Sequence, residues 1–192
     1  MSGLVVVGLG NPGTRYRDTR HNVGSMVVEE LIRRDRSGPT RRGSTSTVTP
    51  VRLAGTVAFV VQPRTYMNES GVAVADALDR LGMVASELLL VYDDADLPLG
   101  RIRIRMEGGA AGHRGVRSIL ESLGTTAIRR IRLGIGKSEG SLADRVLSRF
   151  SAEEAPVVES MVETAANAVE EIARDGILIA MNKFNRRADS PG

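Results

Sequence analysis

No cysteine occurs in this chain, and that absence removes disulfides, thiolate metal sites and a cysteine nucleophile. Histidine is scarce too, with two residues, and aromatic residues make up 3% of the sequence. So few rings argue against a single-strand reader that stacks bases on side chains. No apolar run approaches the ~20 residues that span a bilayer. No basic segment with an apolar core precedes the first strand, so neither a membrane span nor a signal peptide is expected, and the expected compartment is the cytoplasm. Two catalytic signatures are also missing: a Gly-x-Ser-x-Gly elbow and a Gly-x-x-x-x-Gly-Lys-Ser/Thr phosphate loop. With no such elbow and no cysteine, an activated water is the economical nucleophile for any hydrolysis.

What is present suits a folded domain. The 192 residues, 42% hydrophobic and 26% charged, read as one domain over 1–192 that buries a core without metals or disulfides. The net charge of +3 is modest and compatible with a nucleic-acid partner. Leu4–Gly8 and Leu88–Tyr92 read as buried strands, Val48–Leu53 and Val57–Gln62 as a pair joined at Ala54-Gly55-Thr56, and Arg101–Met106 and Arg129–Gly136 as further strands. Helical spacing marks Asn22–Arg34, Asn68–Leu81, the stretch from Gly115 to about Leu123, and Ala155–Arg174. Ser37–Thr47 reads as a polar loop, and residues 186–192 as a frayed tail. Strands interspersed with helices give the α/β class: a single-domain three-layer fold with a twisted mixed β-sheet flanked by helices.

The chemistry concentrates after the first strand. Gly8-Leu9-Gly10-Asn11-Pro12-Gly13 is followed by Tyr16 and by Arg20-His21-Asn22. The glycines formally match a dinucleotide fingerprint, but Pro12 and polar residues follow where a helix should open, so a tight turn is the better reading. Open sheets carry their sites at the carboxyl ends of strands, which is where His21 falls, and imidazole titrates near neutral pH without help. A base needs an orienting partner. Asp93, at the end of the second buried strand, is first in line, and His21 is expected to be the only histidine near a strand-end acid. Asp93-Asp94-x-Asp96 also suits a hard cation; without a phosphate loop that reading ranks second, and Asp96 equally fits a turn cap. Arg101, Arg103 and Arg105 share one strand face, and Arg130 and Arg132 repeat the pattern, which suggests a phosphate patch over a plain solvated edge.

Together these segments resemble the bacterial peptidyl-tRNA hydrolase family, from Leu4 to about Asn185. They are Val7-Gly8-Leu9-Gly10-Asn11-Pro12-Gly13, Thr19-Arg20-His21-Asn22-Val23-Gly24, Pro63-Arg64-Thr65-Tyr66-Met67-Asn68-Glu69-Ser70-Gly71, Asp93-Asp94-Ala95-Asp96-Leu97-Pro98, Gly112-His113-Arg114-Gly115 and Arg132-Leu133-Gly134-Ile135-Gly136. The resemblance implies a monomeric, cofactor-free and metal-independent α/β enzyme that cleaves the ester between peptide and tRNA. By motif position it implies His21 as the base, Asp93 as its orienting acid and Asn11 beside the reacting ester. It implies Asn68 on the peptide main chain, with Tyr16, Tyr66 and Arg114 completing the substrate-binding set. Arg103, Arg105 and Arg132 would grip tRNA phosphate. Two positions depart from the family's pattern: Arg114 stands where Asn is usual, and Tyr92 where His is common. An outward Arg114 is expected, because that pose avoids burying an unpaired charge. A non-catalytic RNA-binding paralogue and a metal-dependent phosphoryl enzyme are the alternatives to the hydrolase.

Overall fold

Val5-Val6-Val7 and Leu88-Leu89-Leu90-Val91 are apolar at every position, the pattern of strands covered on both faces. The computed structural model, which describes residues 3–136 and 141–186, makes them the centre of one sheet. Its strands are β1 (Val5–Gly8), β2 (Arg41–Arg42), β3 (Ser46–Leu53), β4 (Thr56–Pro63), β5 (Leu88–Asp94), β6 (Ile102–Arg105) and β7 (Arg129–Gly134). Its helices are α1 (Val23–Asp35), α2 (Ser70–Leu81), α3 (Arg114–Leu123), α4 (Leu142–Leu147), α5 (Ala155–Asp175) and α6 (Ile177–Arg186). The strand order is β2-β3-β4-β1-β5-β7-β6. The four central strands run parallel, and the pairings at both edges are antiparallel, so the sheet is mixed.

Alternation along the strands divides the core into two layers. Val6, Leu89, Val91, Ile131 and Leu133 face α1, α5 and α6. Val5, Val7, Leu88, Leu90 and Tyr92 face α2 and α3. Each aliphatic side chain removed from water in this way contributes roughly 1.5–3 kcal/mol. The three-layer reading of the sequence is what the chain adopts.

Two details bring the start of α1 to the strand ends. β1 pairs with β5 in the register Gly8 to Val91, so β5 runs on past the end of β1 to Asp94. Gly24 then lets the helix sit directly on the sheet: a Cβ there would run into the Val91 carbonyl and the Leu9 backbone. The single turn Arg20–Asn22 that precedes α1 is thereby held over the end of β5.

Ser37–Thr47 is not a plain loop. Arg41 and Arg42 form a short edge strand against Val48 and Thr47, and β3 already begins at Ser46. An edge strand exposed on both faces carries no apolar alternation, so its pattern is silent. The β3–β4 connection is the two-residue turn Ala54-Gly55, with φ of 49° and 83°, and Thr56 belongs to β4. Arg186 ends α6, and the rest of the expected frayed tail, 187–192, lies outside the described residues.

Candidate active site

Asp93 is 2% exposed and near the carboxyl end of β5. One of its oxygens, Oδ1, meets two imidazoles: His21 Nδ1 at 2.8 Å and His113 Nε2 at 2.9 Å. The second histidine is the N-cap of α3, where its Nδ1 accepts from the Val116 N–H at 3.2 Å. That bond assigns the His113 proton to Nε2, which donates it to Asp93. Burial alone would raise the Asp93 carboxyl; the two imidazoles, His113 foremost, outweigh burial and hold it well below the usual carboxylate range. The ionised carboxylate can only accept, so His21 Nδ1 donates to it, which in the neutral imidazole leaves Nε2 without a proton.

Asn11 is locked just as firmly. Its N–H donates to Asn22 Oδ1 at 2.9 Å, and its carbonyl accepts from Asn22 Nδ2 at 2.9 Å. Its side-chain Oδ1 accepts from the Met67 N–H at 2.8 Å, tying the β1 turn to the turn that opens α2. With Oδ1 committed, the Nδ2 amide of Asn11 makes no hydrogen bond among the described residues and is free to donate.

These groups line one cleft of about 480 Å³. It gathers Asn11, Tyr16, His21, Tyr66, Asn68, Asp93, Arg114 and Arg132, eight of the ten residues expected from the sequence. Arg103 and Arg105 lie outside it, on the edge strand β6, in register with Arg132 and Arg130. Arg132 pairs through Nε with Asp94 Oδ2. Asp94 Oδ1 also accepts the Asp96 N–H at 2.9 Å, so Asp94, not Asp96, caps that turn. Arg130 does not join a phosphate patch: it is 2% exposed, because the loop Gly108–Gly112 folds over it.

Among the described residues, His21, Asp93 and His113 are the one group spaced to hold a metal. Their hydrogen bonds fit that role poorly. The Val116 N–H already occupies His113 Nδ1, so a metal at Nε2 would need an imidazolate.

The peptidyl-tRNA hydrolase family model matches residues 5–191. The chain belongs to the peptidyl-tRNA hydrolase family. The peptidyl-tRNA hydrolase of Syntrophomonas wolfei is 44% identical over 181 residues, covering 94% of this chain and 99% of its own. That of Chloroflexus aggregans is 45% identical over 187 residues, 94% of this chain and 98% of its own. The crystal structure of the Acinetobacter baumannii peptidyl-tRNA hydrolase superposes with a TM-score of 0.88 at 28% identity, covering 95% of this chain and 94% of that one.

Sequence reasoning missed two parts of this family member's site. His21 is not the only histidine at a strand-end acid, since His113 shares Asp93 with it. The signal was available: His113 is the other of two histidines, in a glycine loop directly before a helix. The short helix α4 supplies Leu142, Val146 and Leu147 as an apolar wall that no motif marked. Arg20 holds the turn bearing His21 in place: it pairs with Glu154 at 2.6 Å, donates to the Ile135 carbonyl at 3.0 Å and lies over the Phe150 ring. Of the two departures from the family pattern, Arg114 is exposed at the first position of α3 and lines the cleft with His21 and Asp93. Tyr92 is buried and meets the His113 ring edge-on at 5.0 Å; burial pushes its phenol up.

Proposed function

We propose that this chain hydrolyses the ester joining a peptide to the terminal ribose of tRNA, with water as the nucleophile and His21 as its base. The observation that carries the reading is the 2.8 Å bond between His21 Nδ1 and the ionised Asp93, which leaves Nε2 unprotonated beside an open cleft. His21 Nε2 takes a proton as water attacks the ester carbon. Asp93 stabilises the imidazolium that forms. The free Asn11 amide donates to the oxyanion of the tetrahedral intermediate, a kind of contact that acts strongly in a partly dry site. The ribose oxygen leaves as the intermediate collapses and recovers the proton from His21.

The substrate roles follow from position. Asn68, exposed at the cleft rim, holds the peptide main chain, with Tyr16 and Tyr66 beside it. Arg132 inside the cleft, and Arg103 and Arg105 on the neighbouring strand, take tRNA phosphates, and Arg114 adds a cation at the mouth. The chain works as a cytoplasmic monomer without a cofactor. Among the described residues, no helix is long and apolar enough to cross a membrane.

Incubation of the purified chain with peptidyl-tRNA, with and without a chelator, tests the reading. Peptide and free tRNA should appear at the same rate in both. Tight binding without release would favour the non-catalytic RNA binder, and loss of release with chelator would favour a metal enzyme. Arg114→Asn should raise turnover and weaken tRNA binding, since it trades a phosphate-facing cation for a short amide. A fall in turnover would mean that Arg114 takes part in the reaction.

A further inference from the structure

One deeply buried charge among the described residues has no part in the mechanism above. The Arg130 guanidinium is 2% exposed, and no carboxylate pairs with it among the described residues. A buried cation without an anion is costly unless its donors are all occupied. Here carbonyl oxygens meet all three nitrogens: Nε donates to Ile128 O at 3.1 Å, Nη1 to Gly109 O at 2.9 Å and Nη2 to Thr126 O at 3.3 Å. The guanidinium charge also lies close enough to the Tyr92 phenol to oppose the burial that pushes it up.

Two of these neighbours lead towards His113. Gly109 lies in the loop that carries the histidine, and the loop continues through Ala111, a non-glycine residue at φ 46°, to the His113 N-cap. A residue held in that left-handed region is strained and stays there only when its surroundings fix it. The loop's own closing bond, His113 N–H to Ala110 O at 2.9 Å, does not reach the sheet; the Arg130–Gly109 bond does. Tyr92 in turn packs edge-on against the His113 ring. One buried guanidinium thus grips the chain before His113 and lies beside the tyrosine that packs on its ring.

We infer that Arg130 is a positioning residue: it fixes the Gly108–Gly112 loop so that His113 Nε2–H stays on Asp93 Oδ1. The inference rests on the hydrolase reading for its kinetic arm only. Arg130 touches neither substrate nor the reacting atoms. Its effect passes through His113 to the carboxylate that orients His21. Phosphate binding is not its task, since no ligand reaches it.

Arg130→Gln and Arg130→Lys test this, with folding checked by circular dichroism and thermal melting. For Arg130→Gln, kcat on peptidyl-tRNA should fall about 10- to 100-fold, the scale of a misplacement of about 1 Å, with KM within about twofold. Nitrogen NMR of the imidazoles should show the His113 proton, confined to Nε2 in the parent, exchanging between tautomers. Arg130→Lys, which keeps the charge and one donor, should recover part of both readouts. A folded Arg130→Gln with the parent's His113 signal and kcat would overturn the inference even if it melted at lower temperature. If the parent chain proved inactive, the hydrolase reading would fail while the NMR arm still tested Arg130. If neither variant folds, the parent decides: slow rotation of the Arg130 Nη groups by NMR is expected, and fast averaging would overturn the assignment.

Discussion

Asp93 serves two imidazoles with one oxygen, and most of the site follows from that. The carboxylate holds its charge far below neutral pH, so it accepts from both histidines across the physiological range. Asp93→Asn should keep the fold and lower kcat by about 10²-fold or more, because a neutral amide cannot stabilise the His21 imidazolium. Comparing kcat and melting temperature for that one variant checks it; unchanged turnover would remove Asp93 from the mechanism. Asn11, His21 and Asp93 could be read from the sequence because each stands at the end of an apolar strand or just after it. His113 was marked only by its scarcity and its place before a helix; its contact with Asp93, 20 residues away, comes from tertiary closure of the loop.

At the scale of elements, helices and central strands were legible wherever apolar periodicity was strong, as in α2 with its Gly82 stop in the left-handed conformation. The β2 edge was illegible, because its arginines face solvent on both sides. Arg130 and Arg132 share a strand face in sequence, yet a loop covers the first and leaves the second in the cleft; alternation gives the face and not what folds over it. The α1–α5 contact offers a pH test. Arg33 and Arg34 bond the Glu30 carboxyl and lower it from 4.5 to about 2, and Arg34 reaches on to Glu170 at 2.9 Å. A lowered folded-state value means stability present above about 4.5 and lost as pH falls through about 2. Glu30→Gln should therefore cost about 0.5–1 kcal/mol at pH 7, in keeping with an ion pair near the surface. Denaturant unfolding at several pH values should show the two proteins converging between pH 4.5 and 2. A gap that persisted at the acid end would mean that packing, not charge, gives Glu30 its effect.

For the whole molecule, a net charge of +3 matters less than where the arginines stand. Arg103 and Arg105 flank the cleft from an edge strand whose far side is capped by α6, with Asn185 bonded to the Ile104 N–H and carbonyl. Replacing either arginine with alanine should weaken tRNA binding and lower the slope of log affinity against log salt by roughly one unit. Hydrolysis of a small ester lacking tRNA should be unaffected, and equal losses on both substrates would point to misfolding. The most direct test of the mechanism is single-turnover peptide release by His21→Ala, with tRNA affinity measured on the same protein. The expected result is a rate loss of about 10²–10⁴-fold, the usual contribution of a general base, with affinity nearly unchanged. Turnover at the parent's rate would contradict His21 as the base.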